Sequence, residues 1–255
     1  MGEMFIHDYV KKDIENAMVI ISFPTVGLVS SIAANYIISN LKLKLIGSII
    51  SNDFYPAAIV QNGIPTSPVR IFAGEHECGP EGDCDQIVVI ISELPVKTSA
   101  YTILADKILE WCKNKKCKLM VTLEGVNSQD PSGENIQVFH VGSNENANNI
   151  TKNLPSESFD LGMVSGLSGI LLYKGAITDF KVICLLAEAH IEYPDSRSAA
   201  EVLKVLDKMV PQISMDPEPL LAEAKKIEEK MKSSMAQIKP YSPNELPDIP
   251  PGMYG

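Results

Sequence analysis

Arginine is nearly missing: Arg70 and Arg197 are the only two in 255 residues, and the net charge is −10. Nucleic acid is gripped by clustered Lys and Arg, so this composition carries no nucleic-acid footprint. Long apolar runs are missing too. No stretch has the ~20 apolar residues that a membrane-spanning helix needs. The opening MGEMFIHDYVKKD has no apolar core of signal-peptide length. Gly2 follows Met1, but Ile6 breaks the myristoylation pattern. These absences make a cytoplasmic protein the expectation.

Catalytic signatures are absent as well. The four histidines, His7, His76, His140 and His190, are scattered, and neither H-E-x-x-H nor G-x-S-x-G occurs. GMVSGLSG (162–169) is glycine-rich but lacks the Lys-Ser/Thr ending of a phosphate loop and the Rossmann spacing. A helix starting near Leu167 and packed closely through Gly166 and Gly169 accounts for its glycines without a ligand. The loop FPTVG (23–27) follows a strand and precedes a helix, where anions bind readily, but no charged or nucleophilic partner accompanies it. Glu124 and Glu188 each end a predicted strand, where the ligand sites of α/β proteins gather. They are the candidate acid–base pair, against the plainer reading of capping or solvated carboxylates.

The five cysteines form no disulfide framework. Cys112, Cys117 and Cys184 sit in apolar or helical contexts and read as buried thiols. His76, Cys78 and Cys84 share the loop GEHECGPEGDC. They could hold zinc, but a fourth ligand is not visible and the spacing is not that of a zinc knuckle. The competing reading is a surface loop between strands, capable of a disulfide. No metal or cofactor is assigned.

What is present is an alternation. The runs at 17–22, 86–92 and 181–187 are continuously apolar, the mark of strands buried on both faces. LKLIGSII, TSPVRIFAG, CKLMVTLEG and IQVFHVGS read as further strands. Between them lie segments of helical spacing: one to about Asn40, one capped by Thr98 with Leu104, Ile108 and Trp111 inward, and the polar NENANNITKNL. SAAE (198–201) reads as a capping box opening a last helix with Val202, Leu203, Leu206 and Met209 inward. The expectation is an α/β three-layer sandwich over residues 1–212, its mostly parallel sheet covered by helices on both faces.

Beyond it the character changes. Residues 213–239 read as an amphipathic helix with Leu220, Ala224, Ile227, Met231, Met235 and Ile238 along a narrow seam. This seam suits its own domain or another subunit. Residues 240–255 carry five prolines and read as an extended tail ending Met253-Tyr254-Gly255. A preformed extended segment loses less entropy on binding than a flexible one. A tyrosine ring offers apolar area with few rotatable bonds, and a terminal carboxylate can be captured by a partner's amides or lysine.

FPTVGLVSSIAANYI, SGLSGILL and LLAEAHIEYPDSRSAAEVL together resemble the PAC2 family of proteasome assembly chaperones. The resemblance covers about residues 15–210. One departure is AEAHIEYPD, where the family pattern has Gly-Glu-Thr-Pro; only Glu188 and Tyr193-Pro194-Asp195 carry over. The resemblance implies a nucleoside phosphorylase-like fold, a non-enzymatic homo-oligomer and 20S proteasome α-subunits as partners. Met253, Tyr254 and Gly255 match a hydrophobic-Tyr-any-residue tail that enters pockets between neighbouring α-subunits. Two other readings stay open: a phosphorylase-like small-molecule enzyme, for which two arginines are few, and a tail-mediated module for another partner.

Overall fold

In the computed structural model, residues 3–61, 63–78, 84–127, 135–191 and 193–210 are described, with Ala222 alone beyond them. The segments 213–239 and 240–255 read from the sequence, with Met253, Tyr254 and Gly255, therefore lie outside the described residues.

The strands are β1 (Met4–Asp8), β2 (Ala17–Ser22), β3 (Lys44–Ser51), β4 (Ile59–Gln61), β5 (Ile64–Thr66), β6 (Val69–Cys78), β7 (Cys84–Ile91), β8 (Leu119–Asn127), β9 (Val138–Gly142), β10 (Glu157–Ser158) and β11 (Val182–Ala189). The helices are α1 (Val29–Asn40), α2 (Tyr101–Asn114), α3 (Glu145–Thr151), α4 (Gly166–Thr178) and α5 (Ser196–Asp207). Nine strands form one sheet in the order β1-β3-β6-β7-β2-β8-β11-β9-β10, and β4 pairs with β5 in a separate ladder.

The three apolar runs become β2, β7 and β11, all interior to the sheet. With β8 they make a parallel block, β7-β2-β8-β11. The parallel expectation holds for this block and for the β9–β10 pair at the far edge. On one flank β1, β3, β6 and β7 pair antiparallel, and on the other β9 runs antiparallel to β11. The sheet is therefore mixed. Antiparallel neighbours can be joined by short connections, whereas parallel ones need a crossover.

Both faces of the block are covered. Ile20, Val89, Val121 and Leu185 pack under α1 and α5, against residues such as Ile37, Leu203 and Leu206. The alternate residues Val19, Ile21, Val88 and Ile90 pack under α2 and α4, against Leu104, Ile108 and Leu171. Period-two alternation between two buried faces is why these strands read as unbroken apolar runs.

Two helix starts differ from expectation. Thr98 lies in a 3-10 turn (Thr98–Ala100) leading into α2, and neither start has a side-chain cap hydrogen bond. α5 begins two residues before the SAAE box, with Asp195 as its N-cap accepting from the Ser198 amide at 3.0 Å. Ser198 is thereby already inside the helix, and its hydroxyl instead donates to the Glu188 carbonyl at 2.6 Å.

Ile20 has no exposed surface and sits mid-sheet under α1. Ile20→Ala should cost about 2–5 kcal/mol of unfolding free energy in a urea titration, with the m-value unchanged.

Candidate functional site

The carboxyl ends of β2, β7, β8 and β11 lie at the same edge of the sheet, since the four are parallel and in register. β2 continues into α1 on one face, while β7 continues into α2 on the other. The crevice between such diverging connections is the usual ligand site of an open α/β sheet.

Here that crevice is filled by the chain. The 3-10 turn Val26–Leu28 lies across the end of β8, so close that a Cβ on Gly125 would stand 2.0 Å from the Val26 carbonyl oxygen. Thr25 fixes the turn, its hydroxyl accepting from the Gly125 amide at 3.2 Å. On the other side the Gly27 carbonyl accepts from the Asp195 amide at 2.7 Å. Asp195, buried, also accepts from the His190 amide at 3.2 Å through its second carboxylate oxygen. His190 stacks on Tyr193 with ring centroids 4.9 Å apart. FPTVG and the Tyr-Pro-Asp stretch are thus joined in one hydrogen-bonded seam.

The glycine-rich stretch closes the opposite face. A Cβ on Gly169 would meet the Val164 carbonyl oxygen at 2.1 Å, the close packing read from the sequence. Gly166 has no such neighbour; it has φ +69°, a left-handed conformation that side chains disfavour. From the first turn of α4 the Ser168 hydroxyl donates to Glu124 Oε1 at 2.5 Å.

Glu124 and Glu188 are not brought together as an acid–base pair. In the β8/β11 register Glu124 stands opposite Leu186, and Glu188 two residues further on. Glu124 is committed to Ser168, whereas Glu188 accepts from the Gln137 amide at 3.4 Å. Burial pushes the Glu124 carboxyl up to about 7, against the Ser168 hydrogen bond, which lowers it. Burial also raises the Tyr101 hydroxyl and the Cys184 thiol, with the Glu124 charge adding to both. Glu124 therefore works as a hydrogen-bonded brace between β8 and α4.

Arg70 is 4% exposed, forms an ion pair with Glu93 and lies over the Phe72 ring at 5.5 Å. Its charge is spent inside the fold. Arg197 is exposed on the first turn of α5.

The possible zinc ligands have other commitments. His76 Nε2 donates to the Leu41 carbonyl at 3.1 Å, and Cys84 is disulfide-bonded. The register places Cys78 opposite Cys84 across β6 and β7. Among the described residues no group of three His, Cys, Asp or Glu side chains could hold a metal ion. Cys112, Cys117 and Cys184 are buried free thiols, as read from the sequence.

The family model for the PAC2 family matches residues 19–235. The chain belongs to the PAC2 family. The three segments that carried the resemblance are thus the ones that meet at this sheet edge. A curated relative, an uncharacterized protein of Methanocaldococcus jannaschii, is 34% identical over 227 residues, 89% of each chain. Among solved structures, PbaA of Pyrococcus furiosus, an archaeal homolog of proteasome-assembly chaperone, is 29% identical. It aligns over 92% of this chain and 97% of its own, with a TM-score of 0.79. PbaB of the same organism, an archaeal proteasome activator, is 23% identical over 92% and 100%, with a TM-score of 0.73, and shows the shared fold. This PAC2 chain is therefore related to archaeal homologues of a proteasome-assembly chaperone.

The Asp195 cap was legible as an Asp just before an apolar-periodic run. The Glu124–Ser168 brace was not, because 44 residues separate its members.

The Glu124 brace makes a pH prediction. The folded state raises this pKa from 4.5 to about 7, so it holds a proton that the unfolded chain releases. The folded state is then favoured fully below the unfolded pKa, and stability declines as pH rises through the folded one. Allowing for partial exposure, the decline should be on the order of 2 kcal/mol. Urea titrations from pH 4.5 to 8 should show it in the wild type, and Glu124→Gln should flatten it.

Proposed function

We propose that this PAC2 protein is a non-enzymatic binding factor of the 20S proteasome, an assembly chaperone or activator that docks its C-terminal tail into pockets between α-ring subunits. The likeness to PbaA over nearly the whole of both chains carries this reading. The end of the sequence supports it independently: Met253 and Tyr254 precede Gly255 on a proline-rich stretch suited to hold them away from the folded body. The layout is an α/β body over 1–212, an amphipathic helix over 213–239 and a tail over 240–255. The protein works as a cytoplasmic homo-oligomer with no cofactor, and several tails on one particle gain avidity.

The phosphorylase-like reading is the weaker one. The phosphorylase reading looks for an Arg or Lys facing an open crevice. Here the Val26–Leu28 turn occupies that crevice, and the buried Arg70 is already paired with Glu93.

The test is binding of the full chain to purified 20S particles. Burying the Tyr254 ring contributes about 1.5–3 kcal/mol per tail, and its hydroxyl roughly 1 kcal/mol more. Tyr254→Ala should weaken each contact at least about tenfold, and Tyr254→Phe less. Residues appended after Gly255 should harm binding nearly as much as Tyr254→Ala, because they displace the carboxylate. Equal binding by wild type, Tyr254→Ala and the extended chain overturns tail docking.

A further inference from the structure

β1 is an edge strand, with β3 as its one neighbour among the described residues. Its register runs Phe5 to Ile50 and His7 to Ser48, and the next step is a backbone hydrogen bond from Tyr9 to Ile46 at 2.8 Å. In an antiparallel pair, hydrogen-bonded and non-bonded positions alternate. Phe5, His7 and Tyr9 therefore bond inward to β3. Met4, Ile6 and Asp8 turn their N–H and C=O groups to the open edge, a template for another strand.

α2 runs beside that edge. Lys107, Glu110, Trp111 and Asn114 share one helix face and close a cavity of about 190 Å³ against Met4 and Ile6. Small-molecule pockets run to ~300–1,000 Å³, so this one suits a single side chain. Trp111 is 7% exposed, and its indole N–H is buried without an acceptor. A buried donor left unpaired is costly and calls for an acceptor. An open strand edge, a cavity for one side chain and an orphaned donor together fit an extended peptide.

We propose that the chain's own C-terminal tail rests in this trough when it is not bound elsewhere. Its proline-free end, residues 252–255, pairs with the open edge at Met4 and Ile6. Tyr254 fills the cavity, and a tail oxygen accepts from the Trp111 indole.

Three observations select the tail. The first is size. One side chain and a few backbone bonds fall far short of the ~800 Å² per partner that a standard interface buries. A free partner would dissociate, whereas a tethered segment acts at a millimolar effective concentration. The second is reach. Residues 211–255 follow the body, and an extended 240–255 alone spans roughly 50 Å. A body of some 210 residues has a radius of gyration of about 17 Å, so the tail can cross it.

The third is charge. In a chain of net charge −10, Lys107, Lys113, Lys115, Lys116 and Lys118 cluster along and just beyond α2. Lys113 is exposed, and no salt bridge engages it among the described residues. Residues 240–255 carry Glu245 and Asp248 and no Lys or Arg. Opposite charge draws this tail to that helix.

Resting the tail here regulates it. A segment held about nine-tenths of the time raises the apparent Kd for any other site about tenfold. This regulation rests on the tail docking proposed above; the contact with β1 does not.

The experiment uses the full chain labelled with nitrogen-15. Trp111 is the one tryptophan, so its indole N–H gives a single resonance. A nitroxide on Gly252→Cys should broaden that resonance and the Ile6 amide; Cys112, Cys117 and Cys184 are buried. Tyr254→Ala should shift the indole resonance and speed its exchange with solvent, with the thermal midpoint unchanged. Trp111→Phe keeps an aromatic ring and removes the donor. It should tighten binding to 20S particles several-fold, the opposite of Tyr254→Ala.

An indole and an Ile6 amide left sharp by the nitroxide overturn the resting site, and tail docking is then judged by its own assay. Labelled chain without nitroxide, refolded from urea with unlabelled nitroxide chain, should stay sharp. Broadening there assigns the contact to another copy's tail and overturns the intramolecular one. Equal 20S binding by wild type and Trp111→Phe overturns the regulation. Broadening within one chain, with no 20S binding by either protein, upholds the resting site and overturns tail docking.

Discussion

The end of β8 can be approached by another backbone only because residue 125 has no side chain. The Val26 carbonyl occupies the space a Cβ would need, and the rest of the sheet edge is placed by that contact. With the turn seated there, Thr25 reaches the Gly125 amide and Gly27 receives the Asp195 amide. Asp195 is then positioned to cap α5. Each bond is worth on the order of 1 kcal/mol net, but left unmade in a buried seam each group would cost more than that. The seam is thus stable as a set, and strongly dependent on one missing methyl group.

This filling bears on function. The fold offers a crevice where many α/β proteins bind small molecules, and function resides in such sites, not in the fold. Here the motif residues are turned to joining loops, strands and a helix cap. Glu124, whose carboxyl burial pushes up to about 7, is set against a serine from α4, while Glu188 is engaged by the Gln137 amide. A perturbed carboxyl in this position reports burial in a structural brace.

The central strands were legible because burial on both faces leaves an unbroken apolar run, and Met18 to Ile21 or Ile87 to Ile91 can be little else. The flanking strands were harder. β1 alternates weakly, with Phe5 exposed at the sheet edge, and β10 is two residues long. The antiparallel pairs at the flanks were not legible, since apolar pattern reports burial and not polarity of pairing. At the candidate site close packing was read correctly for Gly169 but not for Gly166, and Gly125 gave no signal beyond ending a predicted strand. Its role depends on Val26, a hundred residues earlier, and no local pattern encodes that distance. The α5 start was displaced because two capping patterns overlap, and the buried Asp195 prevails over Ser198 by also accepting from the His190 amide.

The position of β2 has a consequence for how the molecule is made. It is among the earliest strands in the chain, yet both its neighbours, β7 and β8, are synthesised far later. A central parallel strand has no hydrogen-bonded partner until they arrive. At about 5–20 residues per second, the hundred residues from β2 to β8 take roughly 5–20 s to emerge from a ribosome. Until β8 arrives, Ala17–Ser22 can pair along one edge at most, with β7. Contacts so distant in sequence also slow refolding of the finished chain. The apolar run of β2 is thus on the nascent chain for seconds before both of its edges can be paired.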